Sequence, residues 1–203
     1  MMSLWQDDRP LVLASRSASR RAMLQAAGIP VEVCVADLDE RATEAAAGLL
    51  RPAEAATLLA CEKAKAVSKL VPHRMVVGAD QTLAFEHRRF DKPRDRAGAR
   101  EQLMALAGKI HCLHSAVAVV RDGNVVFDAA DTASLGVRSF SSSFLDRYLD
   151  AAGSAVLDCV GAYQLEKIGI HLFDRIDGNH FTILGLPLLQ LLDFLRRNGS
   201  LAG

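Results

Sequence analysis

Arg20 and Ser17 stand in the segment Ser15-Arg16-Ser17-Ala18-Ser19-Arg20-Arg21, directly after the apolar run Leu11-Val12-Leu13-Ala14. A guanidinium and a hydroxyl so placed form a donor set for phosphate-type oxygens, in the bidentate geometry that arginine favours. Asp80 closes the run Met75-Val76-Val77-Gly78-Ala79-Asp80. Open α/β sheets place ligands at strand carboxyl ends, where a carboxylate can activate water or anchor a metal. Glu40 ends the acidic stretch Asp37-Leu38-Asp39-Glu40, and such carboxylates hold Mg²⁺ with the help of water. Lys63 interrupts the apolar stretch Ala60-Cys61-Glu62-Lys63-Ala64, and Lys92 precedes Pro93, which forces an extended backbone on it. Each residue taken alone has a plainer alternative. Arg20-Arg21 fits a solvated helix surface, Asp37–Glu40 an acidic loop, Asp80 a turn, and Lys63 a snorkelling side chain.

The elements that must position these groups follow from periodicity. Residues 11–14 have strand length, and Ser17 or Ser19 caps a helix that Gly28 ends after Ala27. Strand, polar loop and helix N-terminus in that order make an anion site. A strand is expected at 31–35, a helix from Pro52 to about residue 70, and a strand over 75–79 that ends at Asp80. Residues 81–90 form a hairpin around Glu86-His87-Arg88, and 95–106 an amphipathic helix stopped by Gly108. Two strands at 111–120 and 125–137 flank the hairpin turn Asp122-Gly123-Asn124. Ser141 or Ser142 caps a helix to 151; a strand at 170–176 and a helix at 187–198 close the pattern. The fold class is therefore α/β: one mixed extended sheet with flanking helices, organised as two lobes around a cleft. No linker or repeat divides residues 1–203, which read as a single domain.

Composition narrows the function. The 203 residues carry 24 Lys+Arg against 24 Asp+Glu, a formal charge of zero, so a broad basic field for nucleic acid or membrane surface is not expected. An anion is then bound in a local pocket. Only 6 of the basic residues are lysines, and two of them, Lys63 and Lys92, are already singled out. The four cysteines are widely spaced, without zinc or redox pairing. No run approaches the roughly 20 apolar residues of a membrane span, and no leader-like segment opens the chain, so a cytoplasmic location is expected.

Eight stretches together resemble the Maf family of nucleotide pyrophosphatases, also called septum-formation-inhibitor proteins. They are Leu13-Ala14-Ser15-Arg16-Ser17-Ala18-Ser19-Arg20-Arg21, Asp39-Glu40, Leu59-Ala60-Cys61-Glu62-Lys63-Ala64, Val77-Gly78-Ala79-Asp80, Lys92-Pro93, Leu106-Ala107-Gly108-Lys109-Ile110-His111, Gly161-Ala162-Tyr163 and Ile183-Leu184-Gly185-Leu186-Pro187. The resemblance implies an inosine triphosphatase-like fold and hydrolysis of a nucleoside triphosphate between its α and β phosphates. It implies Asp80 as proton acceptor, with Glu40, Lys63 and Lys92 catalytic and Ser17 and Arg20 phosphate-binding. Mg²⁺ or Mn²⁺ on Glu40 and Asp80 is the implied cofactor; a homodimer is common among relatives.

Ser19, Gln81 and Glu166 fall on what look like the family's specificity positions. Gln81 and Glu166, with Cys159, resemble the 7-methyl-GTP group, whereas Ser19 matches neither that group nor the dTTP/UTP group. Ala18, Ala107 and Ile110 also depart from the family pattern. A carboxylate at Glu166 accepts the adjacent N1–H and N2–H of guanine, while uracil and thymine offer a mixed edge better met by an amide. The reading is a purine-leaning enzyme, with a dTTP/UTP pyrophosphatase as the alternative. A non-catalytic nucleotide-binding regulator of septum formation is the rival of another class.

Overall fold

The computed structural model describes residues 4–35 and 37–203. In chain order the elements are β1 (Leu11–Leu13), α1 (Ala18–Ala26), β2 (Val31–Val33), α2 (Glu40–Ala47), α3 (Pro52–Ser68), β3 (Met75–Phe85) and β4 (Arg88–Phe90). They continue as α4 (Arg96–Leu106), β5 (Ile110–Arg121), β6 (Asn124–Val137), α5 (Ser142–Ala152), β7 (Phe173–Asp177), α6 (His180–Ile183) and α7 (Leu188–Arg197). The strands form one seven-stranded mixed sheet in the order β2-β1-β3-β5-β6-β7, with β4 paired to β3. This is the α/β class expected from the sequence.

β1 is buried along its whole length and is flanked by parallel partners on both edges, Leu11–Leu13 against Val31–Val33 and Val12-Leu13 against Val76-Val77. A strand covered on both faces must be apolar at every position, which is why it shows no alternation. β5 and β6 are joined by the two-residue turn Asp122-Gly123, whose φ angles of 49° and 79° suit the twist of a tight hairpin.

Three elements differ from the expectation. β3 does not stop at Asp80 but runs on to Phe85, because Leu83 and Phe85 pair antiparallel with Phe90 and Arg88. Asp80 nonetheless lies beyond the carboxyl end of β1, whose last paired residue, Leu13, faces Val77. The strand expected at 170–176 begins only at Phe173. Ile168–Leu172 is instead a 3-10 helix, since Gly169 folds so tightly onto Gln164 that a Cβ would overlap the Gln164 carbonyl oxygen. β2 likewise ends at Val33 rather than 35.

The chain divides into two compact units. Unit 1 comprises residues 1–81, 115–131 and 185–203, and unit 2 residues 82–114 and 132–184. The long strands β3, β5 and β6 supply residues to both. In unit 1, Val12, Ala14, Ala64, Val67, Val76 and Val120 form one apolar cluster, and Ala56, Ala60, Ala116 and Ala118 another. The core of unit 2 is built on Leu83, Phe90, Leu103, Leu106, Leu145, Tyr148, Tyr163 and Leu172. Among the described residues no helix is long and apolar enough to cross a membrane.

Candidate active site

In unit 1 a strand, a helix end and a second helix converge on four charges. The N-terminus of α1 is capped by Ser17, whose Oγ accepts from the Arg20 N–H at 3.3 Å, the first of the two caps the sequence allowed. Arg20 in the first turn is fastened by protein acceptors. Its Nε donates to the Gly185 carbonyl at 2.7 Å, and its Nη1 to the Ala79 carbonyl at 2.8 Å and to Ser15 Oγ at 3.0 Å. Three of the five guanidinium N–H groups are thereby committed, and the two on Nη2 complete the set. Burial lowers the pKa of Arg20, while the negative charges of Asp80 and Glu40 work against that shift.

Helix α3 brings Lys63 to the same place. Pro52 opens this helix, and Glu54 folds back to accept from the Arg51 backbone N–H at 2.9 Å. Its inward face is nearly all alanine: Ala55, Ala56, Ala60 and Ala64, with Leu59 and Val67. Small residues let α3 lie close against β3, and Gly78 completes the approach. A Cβ on Gly78 would overlap the Ala60 carbonyl oxygen and stand 3.0 Å from Ala64 Cβ. Lys63 follows Ala60 by one helical turn and Asp80 follows Gly78 by one strand repeat, so both project from the facing sides.

The result is an ion triad. Lys63 Nζ donates to Asp80 Oδ1 at 2.5 Å and contacts Glu40 Oε1 at 2.9 Å. The Lys63 and Asp80 side chains are 15% and 12% exposed, whereas Glu40 is 50% exposed. Glu40 is the first residue of α2, capped by Asp39 Oδ1 accepting from the Ala42 N–H at 3.0 Å. The acidic stretch therefore runs from irregular backbone at 37–38 through the Asp39 cap into the start of α2. Burial pushes the Asp80 carboxyl up from the ordinary aspartate range, and the positive charges of Lys63 and Arg20 pull it back. Two acids and two bases thus compensate each other at one point. Their oxygens already converge on a single cation, the lysine ammonium, and hard carboxylate oxygens suit Mg²⁺ or Mn²⁺ in the same way. Among the described residues no group of three or more His, Cys, Asp or Glu gathers as a metal cage.

Gln81, beside Asp80 in unit 1, donates through Nε2 to Ser115 Oγ at 3.0 Å. Ser19 sits partly buried in the first turn of α1. The remaining expected residues belong to unit 2. Lys92 is exposed just before buried Pro93, and Glu166 is exposed on the turn after Tyr163. Both act on the Cys159 thiol, which burial pushes up, Gln164 and Lys92 hold down, and Glu166 raises further. The structure thus brings Ser17, Arg20, Glu40, Lys63 and Asp80 together in unit 1, and sets Lys92 and Glu166 around Cys159 in unit 2.

Sequence reasoning gave no role to Ser15, Gly185 or Ser115. Ser15 is buried at the end of an apolar run, and Ser115 interrupts the apolar alternation of β5 with no exposure at all. A buried hydroxyl inside an apolar run is the signal that points to such partners. Gly185 has a φ of +94°, a conformation that favours glycine and aims its carbonyl at Arg20.

An α/β sheet carrying a compensated Arg-Lys-Asp-Glu cluster beside a helix N-terminus defines a class of phosphate-handling site. Comparison with known proteins narrows it. Residues 10–198 match the family Maf, Maf-like protein, and the chain belongs to that family. A protein of Nitrobacter hamburgensis named nucleoside triphosphate pyrophosphatase is 51% identical over 201 residues, covering 99% of this chain and 100% of that one. One of Bradyrhizobium diazoefficiens with the same name is 53% identical over 201 residues, with the same shares covered. A solved HAM1 protein from Coxiella burnetii is 15% identical with a TM-score of 0.38, covering 63% of this chain and 72% of that one.

Proposed function

We propose that the protein is an enzyme, a nucleoside triphosphate pyrophosphatase that cleaves between the α and β phosphates to release a monophosphate and pyrophosphate. The hydrolytic class rests on the names of the relatives. The observation that carries the mechanism is the Lys63 ammonium held between Asp80 and Glu40 next to Arg20. Lys63 has a third N–H to offer a phosphate oxygen, Arg20 has its Nη2 edge, and the Ser17 hydroxyl hydrogen is not spent on the cap, where its oxygen is the acceptor. Lys92 is the further cation proposed for catalysis. Once Lys63 turns toward phosphate, Asp80 is released to take a proton from water as it attacks.

Glu40 and Asp80 are the residues that would hold Mg²⁺ or Mn²⁺. The ion would neutralise charge developing on the phosphate oxygens. The protein residues orient the anion and hold the proton at Asp80 Oδ1 or Oδ2. Preorganised charges of this kind lower the barrier because they need no reorganisation during the reaction.

For the base, the proposal is a purine preference, 7-methyl-GTP included, in which Glu166 accepts from the guanine N1–H and N2–H, with Ser19 and Gln81 at the other specificity positions. A carboxylate set against a pyrimidine carbonyl costs about 1–3 kcal/mol in an unsatisfied acceptor. The proposed partners are the nucleotide and a metal ion, not nucleic acid or membrane, in a cytoplasmic housecleaning role and as a single domain, with a homodimer open to test. The test is a panel of GTP, 7-methyl-GTP, dTTP and UTP scored for pyrophosphate with Mg²⁺ and Mn²⁺. GTP or 7-methyl-GTP turning over faster than dTTP and UTP supports the purine reading; the reverse order sinks it.

A further inference from the structure

Unit 2 holds a buried polar assembly that the hydrolytic groups do not use. Tyr163 OH and His111 Nε2 lie 2.7 Å apart in the core, and the Tyr163 ring meets Phe173 edge-on at 4.8 Å. His111 is 1% exposed, and its Nδ1 has no hydrogen-bond partner among the described residues. Stability alone does not account for this pair. A phenylalanine would fill the same volume as Tyr163, and an apolar residue in place of His111 would avoid an unsatisfied nitrogen. What the hydroxyl–imidazole bond adds is direction, because it fixes the tyrosine ring at both its face and its tip.

The chain around Tyr163 is correspondingly constrained. Gly161 and Ala162 both take positive φ, 78° and 61°, and Ala162 is fully buried. Such a conformation at an alanine persists only where its surroundings over-determine it. Tyr148 OH donates to the Ala162 carbonyl at 3.2 Å, and Leu83 and the Tyr163 ring close the space above Gly161. Immediately after Tyr163 the chain makes the turn 164–167, closed by the Lys167 N–H donating to the Gln164 carbonyl at 3.2 Å. Leu165 points into the core, Gly169 packs on Gln164, and Glu166 is left exposed at the tip.

We infer that Tyr163 is a positioning residue for base selection: its bond to His111 fixes the turn that presents Glu166, and thereby sets how well the enzyme discriminates guanine from uracil nucleotides. This rests on the reading of Glu166 as the base-selecting carboxylate. Tyr163 itself need touch no part of the substrate. It acts by limiting the angles at which a carboxylate three residues later can meet two adjacent N–H groups, a geometry with little tolerance for displacement.

The test is the ratio of kcat/KM for GTP to that for UTP in the full-length enzyme, measured in Tyr163→Phe, Glu166→Gln and the double variant. Tyr163→Phe is expected to lower the ratio about tenfold, through KM for GTP with kcat little changed. In the Glu166→Gln background the same substitution should have no further effect on the ratio. His111→Gln keeps a polar atom where Nε2 lies and should preserve discrimination, whereas His111→Leu should reproduce the loss. That pair decides the matter if Tyr163→Phe does not fold. A ratio unchanged in Tyr163→Phe and His111→Leu, or one that falls as far without Glu166 as with it, overturns the inference. Glu166→Gln alone tests the base reading: an unchanged ratio there refutes the role of Glu166, whatever Tyr163 does.

Discussion

Two polar clusters of this molecule are built on opposite principles. In unit 1, Arg20, Lys63, Asp80 and Glu40 are all charged, mutually compensating and partly open to solvent. In unit 2, His111 and Tyr163 are sealed and neutral: burial brings the histidine pKa from 6.5 down to about 4 and raises that of the tyrosine. A compensated set of charges can exchange partners when a polyanion arrives, since every ion has an alternative counter-charge. A neutral pair in a dry core has no such freedom, and what it can contribute is shape. On the proposed function, chemistry and geometry would be lodged in different kinds of environment, and substitutions should separate them.

The largest effect is expected at Asp80. Asp80→Asn keeps the shape and leaves Lys63 its contact with Glu40, but removes the proton acceptor; turnover should fall about 10²–10⁴-fold with nucleotide binding retained. Lys63→Met comes next. It leaves Asp80 buried without its nearest counter-charge, a loss of about 3–5 kcal/mol by the precedent of broken buried pairs, visible as a lowered unfolding midpoint in urea together with lost activity.

His111 offers a pH test of the neutral cluster. Its pKa in the folded state is depressed, so below about pH 6.5 the unfolded chain takes up a proton that the folded protein refuses until about pH 4. Stability is therefore full above that window and is lost as pH falls through it, by about 3 kcal/mol in total. Tyr163 and Phe173 are the aromatic rings packed against the imidazole, and neither is charged in this range. Urea denaturation of wild type and His111→Gln at pH 7 and pH 4.5 checks this, with the variant losing less.

Two helix caps sharpen the comparison at the small end. Ser17 Oγ accepts from the Arg20 N–H at 3.3 Å in unit 1, and Ser141 Oγ from the Phe144 N–H at 3.2 Å in unit 2. Alanine at either position should cost about 1 kcal/mol of stability. Only Ser17→Ala should also raise KM for the triphosphate, which steady-state kinetics would register.

Much of this arrangement was legible in the sequence, for identifiable reasons. The strand–loop–helix opening was marked by an apolar run, a capping serine and Gly28, all local signals. Lys63 stood out because a charge inside an alanine face has to be explained. Other features were legible only in part. The hairpin around Glu86-His87-Arg88 was read, but not that its first strand continues 75–80 without a break as β3, and the 3-10 helix at Ile168–Leu172 rests on the packing of Gly169 on Gln164, which apolar periodicity does not encode. The fastening of Arg20 depends on carbonyls from Ala79 and Gly185, which are distant in sequence and belong to backbone that any residue type would supply. Periodicity cannot reveal partners of that kind.

The measurement that bears most directly on the account is product analysis of GTP hydrolysis in ¹⁸O-water with Mg²⁺, for wild type and Asp80→Asn side by side. The account predicts equal amounts of GMP and pyrophosphate from the wild type, one ¹⁸O carried by only one of the two products, and the same two products formed about 10²–10⁴-fold more slowly by a variant that still binds nucleotide. Release of orthophosphate by the wild type, or undiminished turnover by Asp80→Asn, would contradict it.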